Sequence, residues 1–368
     1  MNENYKRNSE RKLYETLKDD ISEGGFSTNI SKDYSDLKEF FLTGERKQQL
    51  SGMGKIKRFF YMLWWMLKEL LFKLNPTRRL LLIIGIFFLV SAGRFGLNGN
   101  NVNFSYDTSV LGGIIILFIL MLELKDKLLA KDELNAGKSV QVALMSEKNP
   151  KVNGWKIWLF TEPANEVGGD LVDFVKTGEN KYGITLADVS GKGLAAALLM
   201  SKLQTIIRAF APDIKDLSEF GEKVNKVFHK DILPNSFASM VYCAIEENSN
   251  NVEIFNAGHL PPVIIKENEI EILPKGNVAL ALSQNAKFTT QNIKLQKGNS
   301  IIIFSDGVTE ARNVNGIFFG TERINQILKT SYQLSPQQIG EKLLQHVKSF
   351  IGNEKKHDDL SIVILKKD

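Results

Sequence analysis

Apolar and polar positions change period along this chain, and the changes mark out its parts. From residue 155 onward, short apolar or alternating runs bounded by Gly, Pro, Asn and Asp predict strands near 155–161, 171–176, 181–188, 238–246, 252–256, 261–266, 270–273, 288–295, 300–305 and 361–366. Longer stretches with helical spacing predict helices near 193–209, 215–231, 321–330 and 336–351. Many strands with long helices between them imply one mixed α/β domain, expected over residues 148–368. Upstream, residues 80–93 and 108–122 run without a charge. Each run is short against the roughly 20 residues a spanning helix needs. Arg94 can snorkel, and Phe104 and Tyr106 can sit in a headgroup belt. The expected spans are therefore 80–97 and 104–122, joined by a mostly polar connection from Asn98 to Asp107.

Charge sharpens that picture. Lys55, Lys57, Arg58, Lys68, Lys73, Arg78 and Arg79 stand against Glu69 alone, so the net charge of +5 is concentrated in residues 55–79. Phe59, Phe60, Trp64, Trp65 and Phe72 are interleaved with them, which predicts a basic amphipathic helix at a membrane interface rather than a nucleic-acid surface. Arg78 and Arg79 flank one outer end of the span pair, and Lys125, Lys127 and Lys131 flank the other, while the connection holds neither Lys nor Arg. The positive-inside rule then puts both termini on the cytoplasmic side of the membrane. Residues 1–54 are polar and charged, with a short helix expected from Tyr34 to Phe41 and no secretory leader pattern. Residues 123–147 carry Leu124, Leu128, Leu129, Leu134, Val140, Val142 and Leu144, and predict a helix that leads from the second span into the mixed α/β domain.

Cysteine and histidine usage excludes some chemistries. The single Cys243 forbids an internal disulfide and falls in an expected strand, as an inert buried thiol. Four histidines with no HExxH and no CxxC pair argue against a zinc enzyme. Ser190-Gly191-Lys192-Gly193 is not a P-loop, because Leu186 stands where the leading Gly is required.

The acidic residues carry the chemistry. Gly168-Gly169-Asp170, Asp188-Val189-Ser190-Gly191, Ser305-Asp306-Gly307 and His357-Asp358-Asp359 each lie at an expected strand end or beside a glycine turn. A lone Asp-Gly is usually only a turn. Four such sites in order are what a hard divalent cation with oxygen ligands needs.

These stretches, with Pro163-Ala164-Asn165-Glu166-Val167, Gly193-Leu194-Ala195-Ala196-Ala197-Leu198-Leu199-Met200-Ser201, Asn256-Ala257-Gly258-His259-Leu260-Pro261-Pro262 and Val308-Thr309-Glu310-Ala311, resemble the stage-II-sporulation-E/RsbU-type serine phosphatases. These are a bacterial branch of the PP2C (PPM) metal-dependent protein phosphatases. The resemblance covers about residues 135–368. It implies a four-layer α-β-β-α sandwich with two Mn²⁺ or Mg²⁺ ions at one rim. By carry-over, Asp188 bridges the ions, the carbonyl of Val189 holds one, Asp306 and Asp358 complete the other, and Asp170 binds directly or through water. Asp359 stands where many relatives have Asn and is not expected to ligate. Lys192, where relatives often have His, is expected to meet the substrate phosphate, and His259 to be structural. Two ions activate water and neutralise phosphoryl charge, so no protein nucleophile is required. The implied substrate is a phosphoserine on a STAS-domain anti-anti-sigma factor, with residues 123–147 as a regulatory, dimerising linker. A small-phosphoester phosphohydrolase and a non-catalytic phosphoprotein-binding scaffold remain as alternatives. One departure is Gly276-Asn277-Val278-Ala279-Leu280-Ala281, where relatives tend to have Gly-x-x-Leu-Gly.

Overall fold

The computed structural model describes residues 49–50, 52–91, 94–99, 102–213, 216–230, 232–267 and 269–368. The helix expected from Tyr34 to Phe41 lies outside the described residues. The chain divides into two compact units, Met1–Leu128 and Leu129–Asp368.

In the first unit, α1 (Lys55–Lys73) and α2 (Pro76–Ser91) replace the single basic helix expected over 55–79. The break follows from Pro76, which has no amide hydrogen to donate and is suited to a helix's first turn. Arg79 covers the exposed end of α1, its guanidinium donating to the carbonyls of Leu71 (2.7 Å), Leu74 (3.1 Å) and Phe72 (3.2 Å). Beyond α2, β1 (Arg94–Gly99) and β2 (Val102–Asp107) form an antiparallel hairpin, and α3 (Thr108–Leu144) follows. This corrects the expected inner ends of the spans: 94–97 and 104–107 are strand, not helix. The reason is legible afterwards. Phe95, Leu97, Val102, Phe104 and Tyr106 fall at every second position, a strand period rather than a helical one.

α2 and α3 pack through glycine. A Cβ on Gly112 would sit 2.5 Å from the Gly85 carbonyl oxygen and 2.7 Å from the Leu89 amide nitrogen, so the two backbones touch. Arg78 fixes the other end of the pair, donating to Glu123 and Asp126 at 2.6 Å each. Among the described residues only α3 is long and apolar enough to cross a membrane; α2 has 16 residues. Leu80, Ile83, Phe87 and Val90 of α2 and Val110, Ile114, Leu117, Phe118 and Met121 of α3 are exposed.

The second unit contains two antiparallel sheets. One runs β10 (Ile270–Ile272), β9 (Val263–Ile265), β12 (Ser300–Phe304), β13 (Leu360–Lys367), β4 (Trp155–Glu162), β3 (Lys151–Val152). The other runs β11 (Thr290–Lys294), β8 (Asn251–Ala257), β7 (Ala238–Glu246), β6 (Lys181–Val189), β5 (Asp170–Lys176). Side chains alternate between the two faces of a strand, so an unbroken apolar run is buried on both. Ile301, Ile303, Val363 and Leu365 point into the core between the sheets, with Ile184, Leu186, Val241 and Ile254 from the other sheet. Ile302, Phe304, Ile362 and Ile364 point outward onto α7 (Gly320–Lys329) and α8 (Pro336–Ile351). Leu171, Ala187, Met240, Tyr242 and Phe255 point outward on the second sheet onto α4 (Leu194–Phe210) and α5 (Leu217–Lys230). The order is α-β-β-α, a PP2C-like mixed fold. Cys243 is fully buried in the inner core, and burial pushes its thiol up to about 12, so it is inert.

The departure at Ala281 has a structural counterpart. Ala281 has φ +68°, the left-handed region that a Cβ disfavours, and its amide is held by Asn225 Oδ1 at 2.8 Å. Relief of about 1–2 kcal/mol of strain, set against about 0.5–1 kcal/mol for glycine's extra freedom, gives a net gain. Ala281→Gly should therefore raise unfolding stability by up to about 1 kcal/mol. Denaturant unfolding of the two purified chains checks it, and a loss of stability would contradict this account of the turn.

Candidate active site

Antiparallel register decides which side chains meet. Asp170, the first residue of β5, lies opposite Asp188 near the end of β6, and Asp188 lies opposite Ser239 at the start of β7. In the other sheet β12 ends at Phe304, opposite Ile362 near the start of β13. Asp306 therefore follows one strand end, while Asp358 and Asp359 precede the neighbouring strand start. The four acidic sites that the sequence singles out come to one rim, from both sheets.

Crowding shows in their proton affinities. Burial, followed by the charges of Asp306, Asp358 and Asp359, pushes Asp188 up to about 7. Burial and the charge of Asp188 push Asp170 well above the usual carboxylate range, against the hydroxyls of Ser361 and Ser305. Asp306 is raised by burial, then by Asp358 and Glu310. Each shift has the same origin: a carboxylate removed from water beside other carboxylates favours its neutral form.

The loops that carry these acids are fixed by groups the sequence does not mark out. Asp359 is buried, and its carboxylate accepts from the amides of Ala164 (2.7 Å), Gly169 (2.7 Å) and Asp170 (3.3 Å). It organises the 163–170 loop through backbone contacts. A Cβ on Gly168 would come within 2.5 Å of Asp359 Oδ2, and one on Gly169 within 3.2 Å of the Val189 carbonyl oxygen, so both glycines admit close approach. Ser305 and Ser361 are tied reciprocally: Ser305 N–H donates to the Ser361 carbonyl at 3.0 Å, and Ser361 N–H to Ser305 Oγ at 3.1 Å. Asp306 begins the single-turn α6 (Asp306–Thr309), where a side chain on Gly307 would collide with the backbone oxygen of Asp359.

His259 ties the two sheets at the rim. The Phe304 carbonyl can only accept, so His259 Nε2 carries the proton and donates to it at 3.2 Å. Nδ1 then accepts from Ser239 Oγ at 2.7 Å. Burial lowers the imidazole to about 4, so it stays neutral and acts as a strut between β7 and the end of β12. Gln141, at the end of α3, is buried and clasps Gly168 from both sides of its peptide. Gln141 Nε2 donates to the Gly168 carbonyl at 2.8 Å, and Gly168 N–H donates to Gln141 Oε1 at 3.2 Å. The carbonyl of Leu144, the last residue of α3, accepts from Gln204 (2.9 Å) and Arg208 (3.2 Å), and Arg208 grips the fully buried Asp173.

Lys192 reaches Asp358 Oδ2 at 2.8 Å and the His357 carbonyl at 2.5 Å. Among the described residues no group of three or more His, Cys, Asp or Glu side chains stands arranged to hold a metal ion. The donor set is nevertheless composed of hard oxygens, and Asp170 Oδ2 is buried with no hydrogen-bond partner. Carboxylates that resist ionisation together, one of them with an orphaned oxygen, match the chemistry of a divalent cation.

Comparison with known proteins places this geometry. The family model for stage II sporulation protein E (SpoIIE) matches residues 178–368. The chain is 27% identical over 239 residues to the phosphoserine phosphatase RsbU of Bacillus subtilis, covering 64% of this chain and 70% of that protein. It is 23% identical over 192 residues to the phosphoserine phosphatase RsbP of the same organism, covering 50% of this chain and 47% of that protein. Among solved structures, the SiaA-PP2C domain of Pseudomonas aeruginosa aligns with a TM-score of 0.57 at 16% identity, over 66% of this chain and 99% of that one. The phosphatase domain and regulatory fragment of Bacillus subtilis SpoIIE align with a TM-score of 0.51 at 16% identity, over 58% of this chain and 62% of that one. The two structures establish the shared fold.

The raised carboxylates give a signed pH dependence. The folded chain holds the Asp188 proton more tightly than the unfolded chain, so stability from this group is full below about pH 4 and is lost as pH rises through about 7. In chelator, Asp188→Asn should match the parent near pH 4 and exceed it at pH 8, by a few kcal/mol at most because Asp188 is partly exposed. Unfolding midpoints of both chains across this range, in EDTA, read the difference. A difference that shrinks as pH rises would refute the crowding.

Proposed function

The chain belongs to the stage II sporulation protein E family and is a PP2C-type serine/threonine protein phosphatase, and on that premise we propose that it works from a membrane with two Mn²⁺ or Mg²⁺ ions. Its substrate in this reading is a phosphoserine on a STAS-domain partner-switching protein. The observation that carries the metal reading is the rim of mutually repelling carboxylates, with Asp170 Oδ2 unpartnered. Phosphatases of this type are metal-dependent. Asp188, the carbonyl of Val189, Asp170, Asp306 and Asp358 would hold the ions. When bound, the ions supply an activated water and offset the charge of the phosphoryl group.

The chain's own residues do the positioning. Asp359 holds the 163–170 loop through three amides and is not a ligand in this reading. Gly191 and Gly193 have nothing within 4 Å of where a Cβ would stand, so the turn beside Asp188 faces open space. Lys192, on the turn between them, supplies a cation there. His259 stays neutral and takes no part in proton transfer.

The membrane reading rests on the first unit. α3 spans 37 residues, and the apolar side chains that α2 and α3 leave exposed would meet acyl chains rather than water. α1 adds Lys57, Arg58, Lys68 and Lys73 beside exposed Phe59, Phe60, Trp64 and Phe72, a composition that suits the headgroup layer on the cytoplasmic side. The second unit and both termini then face the cytoplasm. The apolar exterior of α3 through Leu128, Leu129, Val140 and Val142 supports a homodimer along this helix, with residues 123–147 as the regulatory linker.

Two measurements test this. Asp306→Asn should reduce Mn²⁺-dependent hydrolysis of an aryl phosphate about a hundredfold or more, with the fold retained. EDTA should silence the parent chain, and persistent turnover in excess chelator would remove the metal from the mechanism. Turnover of a phosphorylated STAS protein far faster than of the aryl phosphate assigns the protein substrate, turnover of the small phosphoester alone favours the phosphohydrolase, and no turnover of either supports a binding scaffold. Separately, the chain should stay in the membrane fraction through an alkaline carbonate wash. Release into the wash would mean that α2 and α3 do not span.

A further inference from the structure

Lys192 makes a contact that neither the sequence resemblance nor the proposed chemistry accounts for. It occupies the middle of the turn between β6 and α4, flanked by Gly191 at φ +106° and Gly193 at φ +71°. Both glycines face open space. The turn is anchored at its root: Ser190 N–H donates to the Phe237 carbonyl and Phe237 N–H to Ser190 Oγ, both at 2.9 Å. From this turn the ammonium crosses to the other sheet's 357–358 turn, donating to Asp358 Oδ2 and the His357 carbonyl. Asp359, one residue on, is already committed to three amides, so Asp358 is the acid of this pair with an oxygen available to a cation.

We infer that Lys192 is a built-in counter-cation for Asp358, which a divalent ion must displace in order to bind. A single ammonium relieves the crowding of the acids when no metal is present. A divalent ion relieves it better, because it carries twice the charge and takes several oxygens at once. The exchange is cheap in both directions. The lysine is 56% exposed and its partner 41%, a setting in which an ion pair contributes little net stability. The two glycines let the turn move without strain. Once released, the ammonium lies beside the opened metal site, where an incoming phosphoryl group would meet it. In this account the lysine sets a threshold on metal affinity and keeps the metal-free rim from repelling itself apart.

The inference rests on the proposed metal site, so the test separates the two. The purified full chain, stripped with EDTA and then freed of chelator, is titrated with Mn²⁺ while the free ion is followed by electron paramagnetic resonance. In parallel, lysines are acetylated with a limiting amine-reactive ester at fixed pH and quantified by peptide mass spectrometry, with and without saturating Mn²⁺. Lys192 acetylation should rise several-fold on Mn²⁺ binding, while that of the exposed Lys151 stays level. Lys192→Gln should bind Mn²⁺ roughly two- to fivefold more tightly than the parent, and Lys192→Arg should return to the parent affinity. If Mn²⁺ binds and depends on Asp188 but Lys192 labelling is unchanged or falls, or Lys192→Gln gains no affinity, the counter-cation role is wrong and the metal site stands. If the parent chain binds no Mn²⁺, or Asp188→Asn binds it equally well, the metal site is wrong and the counter-cation role goes with it.

Discussion

Repulsion among carboxylates held at one partly buried rim is the constraint to which the rest of the second unit answers. Asp170, Asp188 and Asp306 each resist ionisation because of their burial first and of neighbouring carboxylates second. Left to relax, such groups would splay toward water. They do not, because each sits within two residues of a strand end, and those strands are held by the apolar core between the sheets. Ser305 and Ser361 lock one pair of strand ends, and His259 locks the end of β12 to the start of β7. Asp359 ties the 163–170 loop down by its amides. The energy that holds like charges together is supplied by apolar burial elsewhere, which is how a site can be pre-arranged for a cation it must wait for.

How much of this could be read from the chain depends on how local each feature is. The strands of the second unit were legible because Ile301–Phe304 and Ile362–Leu365 are apolar at every position, as strands buried on both faces must be. The helices at 336–351 and 217–230 were legible from spacing, and the structure shows the first opened by a capping box of Ser335 and Gln338. The hairpin at 94–107 was misread because its aromatic residues also suit a membrane interface. Two-residue β3 has no pattern to find. Within the site, the acidic positions stood out by their glycine turns. The distinction between Asp358 and Asp359 did not follow from the residues themselves, since adjacent acids look alike until one of them turns to backbone amides. The Lys192–Asp358 contact joins residues 166 apart in sequence and has no local signature. The left-handed turn at Ala281 did leave a trace, as the missing glycine of the family pattern.

The end of α3 shows what a signal from the first unit would have to use. One continuous helix runs from Thr108 to Leu144, and its last turns are joined to the catalytic unit by polar contacts rather than by a dry apolar seam. Gln141 satisfies both the carbonyl and, across the preceding peptide plane, the amide of Gly168, so the loop that leads into Asp170 is shaped by a residue of the linker. Arg208 and Gln204 of α4 cap the Leu144 carbonyl, and α4 begins directly after the Lys192 turn. A buried amide pair of this kind is all-or-none. Shift the helix by one residue and Gly168 keeps neither bond, because the side chain that replaces Gln141 is Val140 or Val142. A rotation or register change in the last turn of α3 would disturb the Gly168 pair and the Leu144 cap together. Small displacements there matter because ligand placement tolerates little error. A polar clasp of this kind fixes the end of a helix to the loop it holds, whereas an apolar contact could slide.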